Sequence, residues 1–215
     1  MNFALSPEQE LLRQSVRAFA EAEVKPLARE LDRTSRFPRE TLRKAAELGF
    51  IGVSVPEEDG GAGADHVSYS ILIEEISRAC ASTGVILSVQ NSLFCDPLHR
   101  FGTADQKKRF LTPYVRGEKL GCYALTEPQA GSNAAALRTV AVRRGDRYIV
   151  NGTKAWITCG GVADAALVYV NTDPAQQEKG ITALLIERGT PGFGVGKEEE
   201  KLGIHATACT ELSFT

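Results

Sequence analysis

Two short stretches of the sequence combine residue types that can bind an anion and a flat ring. Residues 126–133 read TEPQAGSN, with Gly131 and Ser132 near their end, and they follow an apolar run at residues 120–125. Small residues at positions 134–137 come next and are compatible with a helix. A strand, a turn and the start of a helix direct backbone N–H groups and hydroxyls at one point, which suits a phosphate.

The second stretch, residues 151–158, reads NGTKAWIT and contains the only tryptophan of the chain. Trp156 and Thr158 are two residues apart, so their side chains would share one face of a strand. An anion-binding turn with an aromatic surface and a nearby hydroxyl is what a flavin dinucleotide requires. Simpler alternatives stay open, because a lone tryptophan on a strand usually packs in a core, and Thr126 and Thr158 are common strand residues.

The two stretches resemble the acyl-CoA dehydrogenase family. The resemblance rests on YALTEPQAGS at residues 123–132 and on NGTKAWIT, and it extends to FGT at 101–103, QKK at 106–108 and KLG at 201–203. It covers essentially the whole chain. It implies an α+β fold: an N-terminal α-helical domain over residues 1–119, then an antiparallel β-barrel or sandwich-like middle domain over residues 120–215. The family's C-terminal helical domain is expected to be absent.

The resemblance also implies the roles of individual residues around the cofactor FAD. Ser132 would lie where the flavin pyrophosphate approaches the acyl-CoA substrate. Trp156 would pack against the isoalloxazine, and the hydroxyl of Thr158 would lie near N5. No catalytic residue is expected in this chain, because the family's catalytic glutamate comes from the C-terminal domain. The implied cofactor-binding residues are Tyr123, Ala124, Leu125, Thr126, Gly131, Ser132, Trp156, Ile157 and Thr158.

The implied function is α,β-desaturation of an acyl-CoA thioester, with a hydride passing to flavin N5. The expected partners are the acyl-CoA substrate, an electron-transfer flavoprotein as electron acceptor, and further copies of the chain in a dimer or homotetramer. Two alternatives stay open: a flavin oxidase or monooxygenase on the same fold, and a non-catalytic subunit or interaction module completed by a partner chain. The chain alone is expected not to turn over.

Three further residues have polar or charged side chains in or near the matching motifs. Asn133 stands where the family often has aspartate, which keeps turn chemistry and removes a charge. His205 stands where many relatives carry arginine, and a solvated imidazole is slightly favoured there. Glu127 invites a general-base role, but a carboxylate in a tight turn before proline more often accepts backbone N–H groups.

Composition narrows the remaining classes of protein. The net charge is −2 without a long basic block, so nothing favours nucleic acid as a partner. No apolar run reaches the roughly 18 residues of a membrane span, and no signal peptide is evident, which together favour a cytoplasmic location. The five cysteines lack a CxxC spacing and the histidines are scattered, so a metal site is not expected.

The periodicity of apolar residues changes from helical to strand-like near residue 120. Ser6, Pro7 and Gln9 predict the capped start of the first helix. Pro26 is predicted to kink or break that helix, and a later helix is predicted to end near Pro97 and Gly102. In the second half, turns are predicted at residues 145–146 and 151–152, between short strands.

Overall fold

The computed structural model describes residues 4–215 and divides them into two compact units. The first unit comprises the chain up to Lys119 together with Lys201–Thr207, and the second comprises Leu120–Glu200 and Ala208–Thr215. Helices form the first unit and a seven-stranded sheet forms the second, so the expected α+β class is confirmed. No helix within residues 4–215 is long and apolar enough to cross a membrane.

The first helix begins as its sequence predicts. The Ser6 hydroxyl accepts the N–H of Gln9, and the Gln9 side chain accepts the N–H of Ser6, which completes a capping box. Two π-helical segments, Ala20–Val24 and Val89–Cys95, join α1 to α2 and α5 to α6. The α-helices are α1 Pro7–Phe19, α2 Lys25–Thr34, α3 Arg39–Glu47, α4 His66–Ala79, α5 Ala81–Ser88, α6 Asp96–Phe101, α7 Ala104–Phe110 and α8 Thr112–Val115.

The chain stays helical through both prolines that were expected to interrupt it. Pro26 and Pro97 each lie at the second position of an α-helix that directly follows a π-helical segment. There the Lys25 N–H bonds to the Ala20 carbonyl, and the Asp96 N–H bonds to the Asn91 carbonyl. These i to i−5 bonds widen the turn where a proline ring would otherwise clash and a donor is missing. The chain is therefore not broken at Pro26, where the sequence predicted a kink or a break. The later helix continues past Pro97 and ends just before Gly102, the second of the two positions predicted for its end.

The sheet of the second unit is mixed. Its order is β1-β4-β2-β3-β7-β6, with β5 also paired to β4. Strand β1 runs parallel to β4, and β2 meets β4 in parallel at one residue pair, while the other pairs are antiparallel. The expected antiparallel sheet is therefore corrected to a mixed one. The β2–β3 hairpin lies between β1 and β4 along the chain, and this long connection allows β4 to pair with β1 in the same direction. The strands are β1 Gly121–Ala124, β2 Val140–Arg144, β3 Arg147–Ile157, β4 Ala165–Asn171, β5 Ile181–Glu187, β6 Phe193–Glu198 and β7 Thr210–Phe214.

Strand β3 is one 11-residue strand where the sequence predicted two strands and a turn at residues 151–152. It pairs with β2 up to Asn151 and with β7 from Gly152 onward. Gly152 has φ 155°, and a Cβ there would overlap the side chain of Thr139. The glycine therefore permits a close approach at the change of partner and does not form a turn.

The close approach at Gly152 can be tested by substitution. We expect Gly152→Ala to lower the free energy of unfolding by at least about 1 kcal/mol, because it adds backbone strain and a clash with Thr139. Gly131→Ala is the matched control, since a Cβ at Gly131 would meet nothing within 4 Å. Urea unfolding of the two variants measures the difference. Equal stabilities would contradict the proposed packing.

Candidate functional site

A buried ion pair joins the two motif-bearing stretches within the second unit. Lys154 Nζ lies 2.8 Å from Glu127 Oε1, and the two side chains are 0% and 2% exposed. Lys154 lies on β3, while Glu127 opens the turn at residues 127–130, whose ends exchange two backbone hydrogen bonds of 3.0 Å. Lys154 is not among the residues predicted from the sequence. A lysine in a strand is normally expected to be exposed, because lysine is almost never fully buried unless it is paired.

The carboxylate of Glu127 is fully engaged. Besides Lys154, its donors are the N–H of Arg138 at 2.6 Å, the N–H of Thr139 at 2.9 Å and the side-chain amide of Gln129 at 2.6 Å. Burial raises the pKa of Glu127, but the bonds from Lys154, Thr139 and Arg138 outweigh it and lower the pKa to about 2. The carboxylate accepts backbone N–H groups, as predicted, but they come from residues 138 and 139 and not from its own turn. Its geometry does not suit a general base.

The same lysine fixes the backbone just before Glu127. Lys154 Nζ donates to the Leu125 carbonyl at 3.0 Å, and the Ala155 N–H donates to the Thr126 carbonyl at 2.9 Å. Three consecutive residues, 125 to 127, are thus held by two adjacent residues of β3. Within residues 4–215 the N–H groups of Leu125 and Thr126 and the Thr126 hydroxyl have no hydrogen-bond partner. These donors are available to a ligand.

Trp156 follows this clamp directly and is not a core residue. Its side chain is 56% exposed, although it lies on a strand of the sheet. Its φ of 61° is uncommon for a bulky residue, and the register between β3 and β7 shifts between Lys154 and Ile157, as in a β-bulge. Ile157 is buried, and Thr158 lies half-buried in the turn after the strand. Trp156 thus directly follows Ala155, the residue whose N–H bonds to the Thr126 carbonyl, and it is exposed there.

The other predicted flavin-binding residues flank this cluster. Tyr123 and Ala124 lie on β1, where the Tyr123 ring packs 5.0 Å from that of Tyr169 and Ala124 is fully buried. Ala124 therefore presents no surface to a ligand in this structure. Gly131 and Ser132 are exposed in the loop that follows the turn at residues 127–130.

The expected helix after Ser132 is a single 3-10 turn, Ala134–Ala136. It cannot continue, because Leu137 is already non-helical and the next two N–H groups bond to the Glu127 carboxylate. A turn of three residues has no appreciable macrodipole, so the helix-start argument for phosphate binding at Ser132 does not hold. A groove of about 550 Å³ lies beside the turn, between it and Pro174–Gly180, and Asn133 is among its lining residues.

Two histidines have carboxylate partners that the sequence did not reveal. In the first unit, His205 Nδ1 lies 2.8 Å from Asp32 and its Nε2 lies 2.6 Å from the Lys201 carbonyl. Both ring nitrogens face acceptors, which corrects the expectation of a solvated imidazole. His99 lies 2.9 Å from Asp59. Among residues 4–215 no group of three His, Cys, Asp or Glu side chains could hold a metal ion.

Comparison with known proteins decides the family. Residues 6–118 match the acyl-CoA dehydrogenase N-terminal domain, and residues 122–215 match the acyl-CoA dehydrogenase middle domain. The chain belongs to the acyl-CoA dehydrogenase family. The resemblance carried by the two motifs is thereby confirmed.

Relatives and solved structures agree with this assignment. The chain is 50% identical over 214 residues to a short-chain specific acyl-CoA dehydrogenase of Clostridium acetobutylicum, covering 100% of this chain and 56% of that protein. It is similar to butyryl-CoA dehydrogenase from Megasphaera elsdenii, with 38% identity, a TM-score of 0.95, and coverage of 100% of this chain and 57% of the other. A chain in a structure described as the electron transferring flavoprotein of Acidaminococcus fermentans gives 41% identity, a TM-score of 0.96 and the same coverage. The chain thus spans just over half the length of these proteins.

The buried pair makes a prediction about stability and pH. Because the folded-state pKa of Glu127 lies below its ordinary value of 4.5, its contribution is full above about pH 4.5 and is lost as the pH falls toward 2. Glu127→Gln leaves the buried ammonium of Lys154 unpaired, so we expect a loss of about 3–5 kcal/mol at pH 7.

The measurement is urea unfolding of the wild type and of Glu127→Gln between pH 7 and pH 3. The variant should show a smaller decline in stability below pH 5, since it lacks the titrating carboxylate. Parallel stability curves for the two proteins would contradict the low pKa assigned to Glu127.

Proposed function

We propose that this chain provides one wall of the FAD site in a dehydrogenase that desaturates short-chain acyl-CoA thioesters. The observation that carries the proposal is the row of unpartnered donors at Leu125 and Thr126 beside the exposed indole of Trp156. The names of the relatives, short-chain specific acyl-CoA dehydrogenase and butyryl-CoA dehydrogenase, support a short acyl chain.

The chemistry of this wall fits a flavin. The pyrimidine edge of an isoalloxazine is rich in acceptor atoms, and the segment at residues 125–126 offers N–H and hydroxyl donors while its carbonyls are already engaged. A flat tricyclic ring also suits an exposed indole held by a bulge. When bound, FAD would supply the hydride acceptor, N5.

The remaining residues extend the proposed site. Tyr123 and Thr158 would line the flavin edge, and the buried residues Ala124 and Ile157 would support that edge from behind. Gly131 and Ser132 would approach the pyrophosphate, and Ser132 also the acyl-CoA. Support comes from their exposure and from the adjacent groove at Asn133.

We further propose that the α-proton is removed by a carboxylate outside this chain. A general base needs a carboxylate within hydrogen-bond reach of the substrate carbon. Glu127 is 2% exposed and accepts four hydrogen bonds, which leaves it no free position for a substrate. Glu75, in the first unit, is likewise buried and engaged with Arg17 and Arg78.

Partners and location stay predictions. An electron-transfer flavoprotein as electron acceptor is supported by the similarity to a chain in the structure of the electron transferring flavoprotein of Acidaminococcus fermentans. Assembly into a dimer or homotetramer and a cytoplasmic location stay as the sequence suggested.

Trp156 offers a direct test of flavin binding, because it is the only tryptophan of the chain. We expect added FAD to quench its fluorescence and to gain a structured visible spectrum. Anaerobic addition of butyryl-CoA to the complete enzyme should then bleach the flavin. Rapid reoxidation by oxygen would favour the oxidase alternative, and the absence of any flavin binding would favour the interaction module.

A second prediction separates binding from stability. Trp156→Ala should weaken FAD binding about tenfold, the loss expected for an aromatic stacking contact of about 1.4 kcal/mol. Thermal stability should hardly change, because the indole is 56% exposed. Tyr148→Ala, an exposed aromatic at the other end of β3, is the control and should leave FAD affinity unchanged. If Trp156→Ala lowers only the melting temperature, the indole packs within the unit and is not part of the flavin site.

A further inference from the structure

We propose that Lys154 and Glu127 are positioning residues, which fix the donor row at residues 125–126 relative to Trp156 and so set the geometry with which the flavin edge is met. This inference rests on the proposed FAD site. It assigns to the pair a role beyond stabilising the fold.

The hydrogen bonds of Lys154 hold the backbone at residues 125–127. Its ammonium bridges the Leu125 carbonyl at 3.0 Å and Glu127 Oε1 at 2.8 Å, so one group spans both ends of the segment. The next residue of β3, Ala155, holds the Thr126 carbonyl at 2.9 Å. The Leu125 carbonyl and the Thr126 N–H share one rigid peptide plane, so fixing that carbonyl also fixes this donor. The carbonyl bonds on both sides of the Thr126 Cα hold the Thr126 backbone, from which its hydroxyl projects, and the Leu125 N–H directly precedes the fixed plane.

The order of residues along β3 connects this clamp to Trp156. Trp156 directly follows Ala155, so the clamp and the indole belong to one short run of backbone. The bulge at Trp156 is strained, and such strain persists where neighbouring residues are firmly held. Lys154 is fully buried and bonded at two points, which provides that hold from the side preceding the bulge.

Variants of one or both members of the ion pair can distinguish a positioning role from simple stabilisation. Removing one member of a buried ion pair leaves an uncompensated charge, whereas replacing both members with neutral groups is often close to neutral for stability. The double variant Glu127→Gln with Lys154→Met should therefore regain much of the stability that Lys154→Met alone loses. It cannot restore the bond from Nζ to the Leu125 carbonyl.

The experiment compares four proteins: the wild type, Lys154→Met, the double variant, and Lys197→Met as a matched control. Lys197 is an exposed lysine on β6, 3.4 Å from Glu200. Urea unfolding gives the stability of each protein. Amide hydrogen exchange at Ala155 and Glu127, whose N–H groups donate to the Thr126 and Ala130 carbonyls, reports the clamp without flavin. Fluorescence titration with visible circular dichroism reports FAD affinity and the flavin environment.

We expect the double variant to be more stable than Lys154→Met. Its exchange at Ala155 and Glu127 should still be at least about fivefold faster than in the wild type, and its FAD binding about tenfold weaker with an altered flavin dichroism. Lys197→Met should match the wild type in every measurement.

Two failures can be told apart. If the double variant regains wild-type exchange, FAD affinity and flavin dichroism, the pair is structural only and the inference is overturned while the flavin site stands. If the wild type gives no flavin signal, the proposed function fails, and the positioning role toward flavin fails with it. If exchange at Ala155 and Glu127 is unchanged in Lys154→Met as well, the clamp itself is overturned.

Discussion

The buried carboxylate of Glu127 requires hydrogen-bond donors, and this requirement determines how the first part of the second unit folds. Glu127 lies almost wholly out of water, and burying an ionised group without partners is very costly. Its four donors come from its own turn, from the two residues just before β2 and from β3. The loop between Ala130 and Val140 must therefore fold back on the turn, and this is why the Ala134–Ala136 run stops after one 3-10 turn.

Strand β3 meets a second constraint, because it has to pair with two strands in succession. The change from β2 to β7 occurs at Gly152, where the absence of a side chain allows Thr139 to lie against the backbone. A few residues later the bulge turns Trp156 outward at a strained φ of 61°. Both irregularities fall within the NGTKAWIT motif, so the motif encodes a departure from regular strand geometry and not a turn between two strands.

The sequence predicted those features that depend on near neighbours. The capping box at Ser6 and the change from helical to strand periodicity are local, and they were found. The sequence did not predict the burial of Lys154, the π-helical segments before Pro26 and Pro97, or the partner of His205. Each depends on a tertiary contact: Asp32, for example, lies 173 residues from His205. The motif resemblance identified the neighbourhood of the site, but only the fold reveals which carbonyls are engaged and which donors remain.

The arrangement of charge in the proposed flavin wall limits how this chain can influence a flavin. The two ionised groups nearest the donor row, Glu127 and Lys154, compensate one another at 2.8 Å. Opposite charges at that separation act on a neighbouring ring mainly as a dipole, whose effect falls off faster with distance than that of a single charge. The wall therefore has two remaining means of tuning a flavin: the N–H and hydroxyl donors at residues 125–126, and the indole of Trp156. Both depend on position, which is the property that the buried pair is proposed to control.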